Sequence, residues 1–234
     1  MATDELAQLY PPLGLRVTAG DLTLRMFRDS DLPAYADLIS SRLFADEDAP
    51  HVFAWWNRDP AVRRLDSLQF LWSGRAGIKP DAWQLQFGVF DGDRLIGSQD
   101  LGAKDFARLR VVSSGSYLRL DAQGRGIGTL MRQMVLALAF DHLGAVRAES
   151  SAILGNEASL AVSRHCGYEL DGLQVETNGE RRVELQRVAV TPRTFVRPAD
   201  TVTVEGLTRP LREQLGVDPG TAPQCEPHPL PIVR

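Results

Sequence analysis

The chain has 234 residues, 44% hydrophobic and 24% charged, with a formal net charge of −4, a make-up that lets one domain bury its own core. The acidic balance and the lack of a basic block weigh against nucleic acid as a main partner. Cys166 and Cys225 are the only cysteines, with no Cys/His cluster beside them, so neither a disulfide framework nor a metal site is expected.

Proline placement frames the chain. Six of its 14 prolines lie in residues 1–80, none in 81–191, and eight from Pro192 onward. The start, MATDELAQLYPPLGL, lacks the basic and apolar regions of a signal peptide. No run of about 18 apolar residues occurs, so no membrane partner is expected and a cytoplasmic location is the default. GLRVTAGDLTLRMF alternates around a Gly-Asp turn and predicts a hairpin. Asp29 or Ser30 then caps a helix to about Ile39. RDPAVRRLDSLQFLW predicts a second helix, with Asp59 as cap and Pro60 in its first turn. WQLQFGVF and RLIGSQDL are two strands around a tight Asp-Gly turn, and RVVSSGSYLRL is a further strand. After the glycines at 124, 126 and 128 comes a helix to about His142. Its residues Ile127, Leu130, Met131, Met134, Val135 and Leu138 share one face. AVRAESSAI is a strand, residues 156–166 a short helix closed by Gly167, and RRVELQRVAV a last strand. The prolines of 193–234 predict an irregular extension to a domain of residues 1–192. A dimer arm, a lid and a loose end are all open roles for it, and a homodimer is compatible with the sequence. The order is mixed α/β with an antiparallel beginning, unlike regular βαβ alternation.

DAQGRGIG before a helix has two readings. Glycines at a helix start clear side chains from free N–H groups at the positive end of the dipole, which is a plausible cradle for a pyrophosphate. Thr129 offers a hydroxyl there, and Arg125 or Arg132 a charge. Alternatively the glycines only turn the chain tightly into the helix. The P-loop is excluded because no Gly-Lys-Ser/Thr follows, and the dinucleotide GxGxxG fails because residues 129 and 131 are Thr and Met. LDAQGRGIG also resembles the acidic residue plus GxGxG of S-adenosylmethionine-dependent methyltransferases, with Glu149 in place for a ribose. Its spacing from Asp121 is one residue too long, and the loop sits late in the chain.

Gln123-x-x-Gly126-x-Gly128 resembles the Q/R-x-x-G-x-G/A signature of the GNAT N-acyltransferase superfamily. The strand, loop, helix, strand and helix around it are similar to that superfamily in order. GNEASLAVSRHCGYELDG resembles its N-x-x-[AS]…G-[FY]…G ending, and LTLRMFRDSDLPAYADL its opening strand and first helix. The likeness spans roughly residues 15–191 and is nearest to the branch acetylating ribosomal-protein N-termini. It implies a mostly antiparallel central sheet flanked by helices. It also implies acyl transfer from acetyl-CoA, or another acyl-CoA, to a primary amine on a small molecule or a protein N-terminus. A non-catalytic acyl-CoA sensor is the alternative within the likeness.

The resemblance assigns backbone groups of Leu118, Arg119 and Leu120 to the pantetheine arm. It gives the diphosphate to the loop Gln123, Gly124, Arg125, Gly126, Ile127, Gly128 and Thr129. Asn156 takes a pantetheine contact beside its helix-cap role. The superfamily's tyrosine acid is replaced here by Ser163, while Ser159 matches the serine of the ribosomal-protein branch. For the general base, Asp100 and Glu149 each end a core strand. Phe53, Trp55 and Trp56 line an acceptor pocket or pack the core.

Overall fold

The computed structural model describes residues 5–44, 56, 58–178 and 181–217. The N-terminal α1 (Glu5–Leu9) leads into the expected hairpin, β1 (Arg16–Ala19) and β2 (Leu22–Met26). Its alternating Val17, Leu22, Leu24 and Met26 are buried. The next helix, α2 (Leu32–Ser40), starts later than Asp29 or Ser30 would have it. Asp31 is the residue that organises this turn. Its carboxylate takes the Arg28 N–H at 2.7 Å and a two-pronged contact from Arg25 at 2.6 and 2.9 Å. In α3 (Pro60–Ala76) the Asp59 carboxylate accepts from Ala61 N–H at 2.9 Å, as the Asp-Pro pair predicts.

The long strands β3 (Ala82–Asp91) and β4 (Arg94–Lys104) follow, then a turn of helix α4 (Phe106–Leu109) and two short strands, β5 (Val111–Ser113) and β6 (Ser116–Leu118). The glycine loop opens α5 (Ile127–Ala137), which continues as a wider π turn over Leu138–Leu143. Then come β7 (Arg147–Ile153), α6 (Glu157–His165), β8 (Glu169–Asn178), β9 (Arg181–Val190), β10 (Thr203–Glu205) and α7 (Arg209–Gln214).

The sheet runs β10-β1-β2-β3-β4-β5-β7-β9-β8, with β6 beside β4. Among the described pairings only β5 with β7 is parallel. On one sheet face Leu85, Phe87 and Leu101 pack with Met134 and Val135 of α5 and Leu138 of the π turn that continues it. On the other, Phe90 and Leu95 pack with Tyr35, Leu38 and Ile39 of α2 and Leu71 of α3. This is the mixed, mostly antiparallel architecture that the sequence implies, and it lacks the parallel doubly wound sheet of the methyltransferase alternative.

The proline-rich segment carries regular structure where the sequence predicts an irregular extension. β10 adds to the edge of β1, with Arg16 opposite Glu205. Leu211, Leu215 and Val217 are buried in the main core, and Trp83 Nε1 donates to Leu215 O at 2.9 Å. Pro192 and Pro198 precede β10, and Pro210 sits in the first turn of α7, where the missing N–H breaks no helical bond.

Candidate active site

The strand predicted over RVVSSGSYLRL is broken at Ser114–Gly115. Gly115 N–H donates to the Asp100 carboxylate at 2.5 Å, and Gly115 O accepts from Asp100 N at 2.9 Å. On one side of the break, β5 pairs with β7 as far as Ser113 opposite Glu149, with a last bond from Ser114 N to Glu149 O at 3.1 Å. On the other side, β6 stays with β4 and leaves β7. A wedge therefore opens between β6 and the Ser150–Ile153 half of β7. Arg119 N bonds Ile96 O at 2.8 Å while Leu118 stands opposite Gly97. By antiparallel alternation Ser116 and Leu118 then turn their backbone groups into the wedge.

The three residues expected to hold a pantetheine arm are thus not equivalent. Leu118 offers its N–H, while its carbonyl accepts from Gln123 Nε2 at 3.0 Å. Arg119 O and Leu120 O accept from Ala122 N and Gln123 N in a tight 3-10 turn.

Two of the three glycines are required by backbone conformation. Gly124 and Gly126 have φ of +72° and +80°, and nothing lies within 4 Å of where a Cβ would stand on either. Gly128 is not required in this way: a Cβ there would make ordinary contacts with Val162 Cγ2 at 3.4 Å and Leu118 Cδ1 at 3.9 Å. Among the described residues the N–H groups of Gly124, Arg125 and Gly126 donate to no backbone carbonyl. Those of Ile127 and Gly128 open α5, where no intrahelical acceptor exists. Gln123 clamps the bend from behind, its Nε2 also donating to Leu43 O at 2.7 Å. Thr129 N is already bonded to Gly126 O. Open space, consecutive free N–H groups and a helix dipole fit a doubly charged diphosphate. Arg125 is exposed beside them. Arg132, the other cation considered for this loop, is instead buried behind the wedge.

On the face opposite α5, Asp100 lies at the apex of the wedge. Burial pushes its carboxyl up to about 6, against the opposing pull of the Gly115 N–H, the Arg132 charge and Gln84. Gln84 Nε2 donates to it at 3.2 Å. Nearby, the Tyr117 and Tyr35 hydroxyls meet at 3.1 Å, and burial raises both phenols above their ordinary value. Glu149 has a different setting. It accepts from Arg147 at 2.7 Å and faces Arg187 at 3.9 Å, in a cluster completed by Asp171.

Asn156 caps α6, its Oδ1 accepting from Ser159 N at 3.1 Å, which leaves the side-chain NH2 free to donate. Ser159 is partly exposed, and its hydroxyl makes no hydrogen bond among the described residues. Ser163 is buried and donates to Ser159 O at 3.1 Å, so its proton is committed within the helix. Of the three aromatic candidates, Trp56 packs in the second core, with Phe44 edge-on at 4.8 Å and Arg63 4.0 Å above its ring. Phe53 and Trp55 lie outside the described residues.

Sequence reasoning missed Gln84, Gly115 and the Tyr35–Tyr117 pair. Only the Ser-Ser-Gly-Ser run hinted at the break, since glycine inside a strand pattern often marks a bulge.

Residues 21–169 match the protein family described as acetyltransferase (GNAT) domain. Among solved structures, Mycobacterium smegmatis RimJ in complex with CoA-disulfide is 24% identical with a TM-score of 0.59, over 77% of this chain and 86% of that one. Spermidine N-acetyltransferase from Vibrio cholerae, in complex with CoA and spermine, is 19% identical with a TM-score of 0.57, over 74% and 97%. Ribosomal-protein-S5-alanine acetyltransferase from Vibrio fischeri is 17% identical with a TM-score of 0.59, over 76% and 99%. At these identities the likeness is one of fold.

Proposed function

Because the chain belongs to the GNAT family of acetyltransferases, we propose that it moves an acetyl or other short acyl group from a coenzyme A thioester to a primary amine by direct attack. The bend at Gly124–Gly128 carries this reading, because it presents consecutive free N–H groups at the end of β6, beside the wedge. The thioester supplies an acyl group activated by sulfur. Every other part of the reaction falls to the chain itself.

The bend holds the diphosphate, with Arg125 adding charge at its rim. Leu118 N–H and the Asn156 side-chain NH2 hold the amide arm along the wedge, as one strand edge holds another. Asp100, titrating near neutrality, is ionised at physiological pH yet basic enough to take a proton from the attacking amine. Glu149, engaged by Arg147 and Arg187, steadies the sheet beside it. The free Ser159 hydroxyl, in the first turn of α6, donates to the departing sulfur.

The acceptor is an amine-bearing small molecule or a protein N-terminus. The fold neighbours include proteins named for spermidine and for ribosomal-protein acetylation. A carboxylate at the acceptor face suits either, since both amines arrive as cations.

Calorimetry with coenzyme A, acetyl-CoA and S-adenosylmethionine tests the donor, and thiol release over a panel of amines tests the transfer. Coenzyme A binding with thiol release on an amine is expected. Binding of S-adenosylmethionine alone would refute the proposal. Coenzyme A binding without release on any amine would leave a sensor in its place.

A further inference from the structure

Among the buried polar side chains of the described residues, one cluster behind the apex of the wedge carries a charge. Arg132, on α5, is only 4% exposed. Its guanidinium spans the split between the strands. Nη2 reaches Ser116 Oγ on β6 at 3.1 Å, and Nη1 reaches Ser150 Oγ on β7 at 3.3 Å. Both contacts are long for a charged donor, and both acceptors are neutral. Its Nε is buried without a partner, and no carboxylate pairs with it among the described residues.

Three neighbours share this deficit. Ser114 Oγ, Gln99 Oε1 and the Tyr168 hydroxyl are also buried without partners. Ser114 sits at the break between β5 and β6, and Gln99 stands opposite Ser116 in the β4–β6 register. The Tyr168 ring centre lies 5.8 Å from the guanidinium carbon. A simple tie between two strands needs neither a charge nor this ring of unsatisfied polar atoms. Asp100 feels the Arg132 charge only from the opposite face of the sheet; a buried cation with no carboxylate hydrogen-bonded to it is costly to keep, and an anionic guest would satisfy it.

The direction of the wedge says which guest. The bend that suits a diphosphate is at the open end, after Leu118. A donor lying along β6 from that bend brings its sulfur end to the apex at Gly115. Asp100 lies there on one face of the sheet and Arg132 on the other. With the amine approaching from the Asp100 face, the Arg132 side, between Ser116 and Ser150, is the side of the split left for the remainder of the acyl chain.

We propose that Arg132, with Ser114, Ser116 and Ser150, forms a pocket for the far end of the acyl chain and selects one that ends in a carboxylate, a dicarboxylic acyl-CoA of about succinyl size. This rests on the coenzyme A reading above. It assigns the donor's chemical class through residues on the side of the sheet away from the acceptor.

The test is calorimetric titration of the whole chain with succinyl-CoA, butyryl-CoA and coenzyme A. Succinyl and butyryl groups match in length and differ in the terminal carboxylate. The wild type is expected to bind succinyl-CoA at least about tenfold more tightly than butyryl-CoA, because a site built for a polar group rejects its apolar analogue. Arg132→Met should abolish that preference and leave the affinity for coenzyme A unchanged. Equal wild-type affinity for the two thioesters, with coenzyme A still bound, overturns this inference alone. No binding of coenzyme A overturns the underlying reading, and this one falls with it. The wild-type comparison decides the matter even where Arg132→Met does not fold.

Discussion

Replacing Asp100 by asparagine is expected to move activity and stability in opposite directions. Asparagine keeps the shape of the side chain, and its carbonyl still accepts the Gly115 N–H that aspartate takes at 2.5 Å. Gln84 can turn its amide to present oxygen to the new NH2 group. What disappears is the ability to ionise. The folded-state value of about 6 against the ordinary 3.8 corresponds to about 3 kcal/mol at 1.36 kcal/mol per unit, an upper figure because the side chain is partly exposed. The folded chain holds this proton more tightly than the unfolded chain does. Wild-type stability from this group is therefore present below the unfolded value and lost as pH rises through about 6. Asparagine resembles the protonated form and escapes that loss. In urea titrations Asp100→Asn should match the wild type near pH 3 and exceed it by up to about 3 kcal/mol near pH 8. Its kcat/KM should fall by about 10² to 10⁴, the range for loss of a general base. The wild-type acidic limb, centred near pH 6, should vanish from the mutant profile. An unchanged acidic limb, or a mutant less stable than wild type near pH 8, would refute the role given to Asp100.

Gly126→Ala forces a side chain into φ +80°, at about 1–2 kcal/mol, and puts a methyl group into the open space at the bend. Coenzyme A affinity should drop about tenfold or more by calorimetry, and an unchanged affinity would remove the bend from the binding site. Asn156→Ala should cost about 1 kcal/mol as a lost cap, whereas Asn156→Ser keeps the cap. If the asparagine NH2 holds the pantetheine arm, both weaken coenzyme A binding, so full binding by the serine variant would leave Asn156 as a cap only. Leu211→Ala, at a fully buried position on α7, should lower unfolding stability by about 2–5 kcal/mol. A change within error would mean that this helix does not support the domain. Burial pushes the Cys166 thiol up to about 11, so an alkylating reagent at neutral pH should label it only as fast as the chain opens. Prompt labelling of residue 166, read by peptide mass, would contradict that burial.

Much of the fold is legible because its signals are local. Alternation over a few residues marks β1 through β4, Asp59–Pro60 marks the start of α3, and the one-faced apolar set from Ile127 marks α5. β8 has no such signature. It is an edge strand with Leu170, Leu173 and Val175 all exposed, so no buried face imposes a regular pattern on it. The late start of α2 escaped for a different reason. Asp31 is fixed by Arg25 on β2, a partner that no cap rule includes.

The candidate site divides in the same way. GxGxG before an apolar helix, and asparagine before α6, identify a bend and a cap from residues that are neighbours in sequence. By themselves these residues determined a glycine turn with open N–H groups and the order of elements. Tertiary structure alone decided where the fifth and sixth strands part, that Asp100 is raised toward neutrality while Glu149 is held in an arginine cluster, and that Arg132 is buried across the split. Each of those outcomes depends on groups far apart along the chain meeting in one place. Gly115 must reach Asp100, Arg147 and Arg187 must hold Glu149, and Ser116 and Ser150 must flank one guanidinium. Burial and charge pairing are set by such meetings, and no short stretch of sequence contains them.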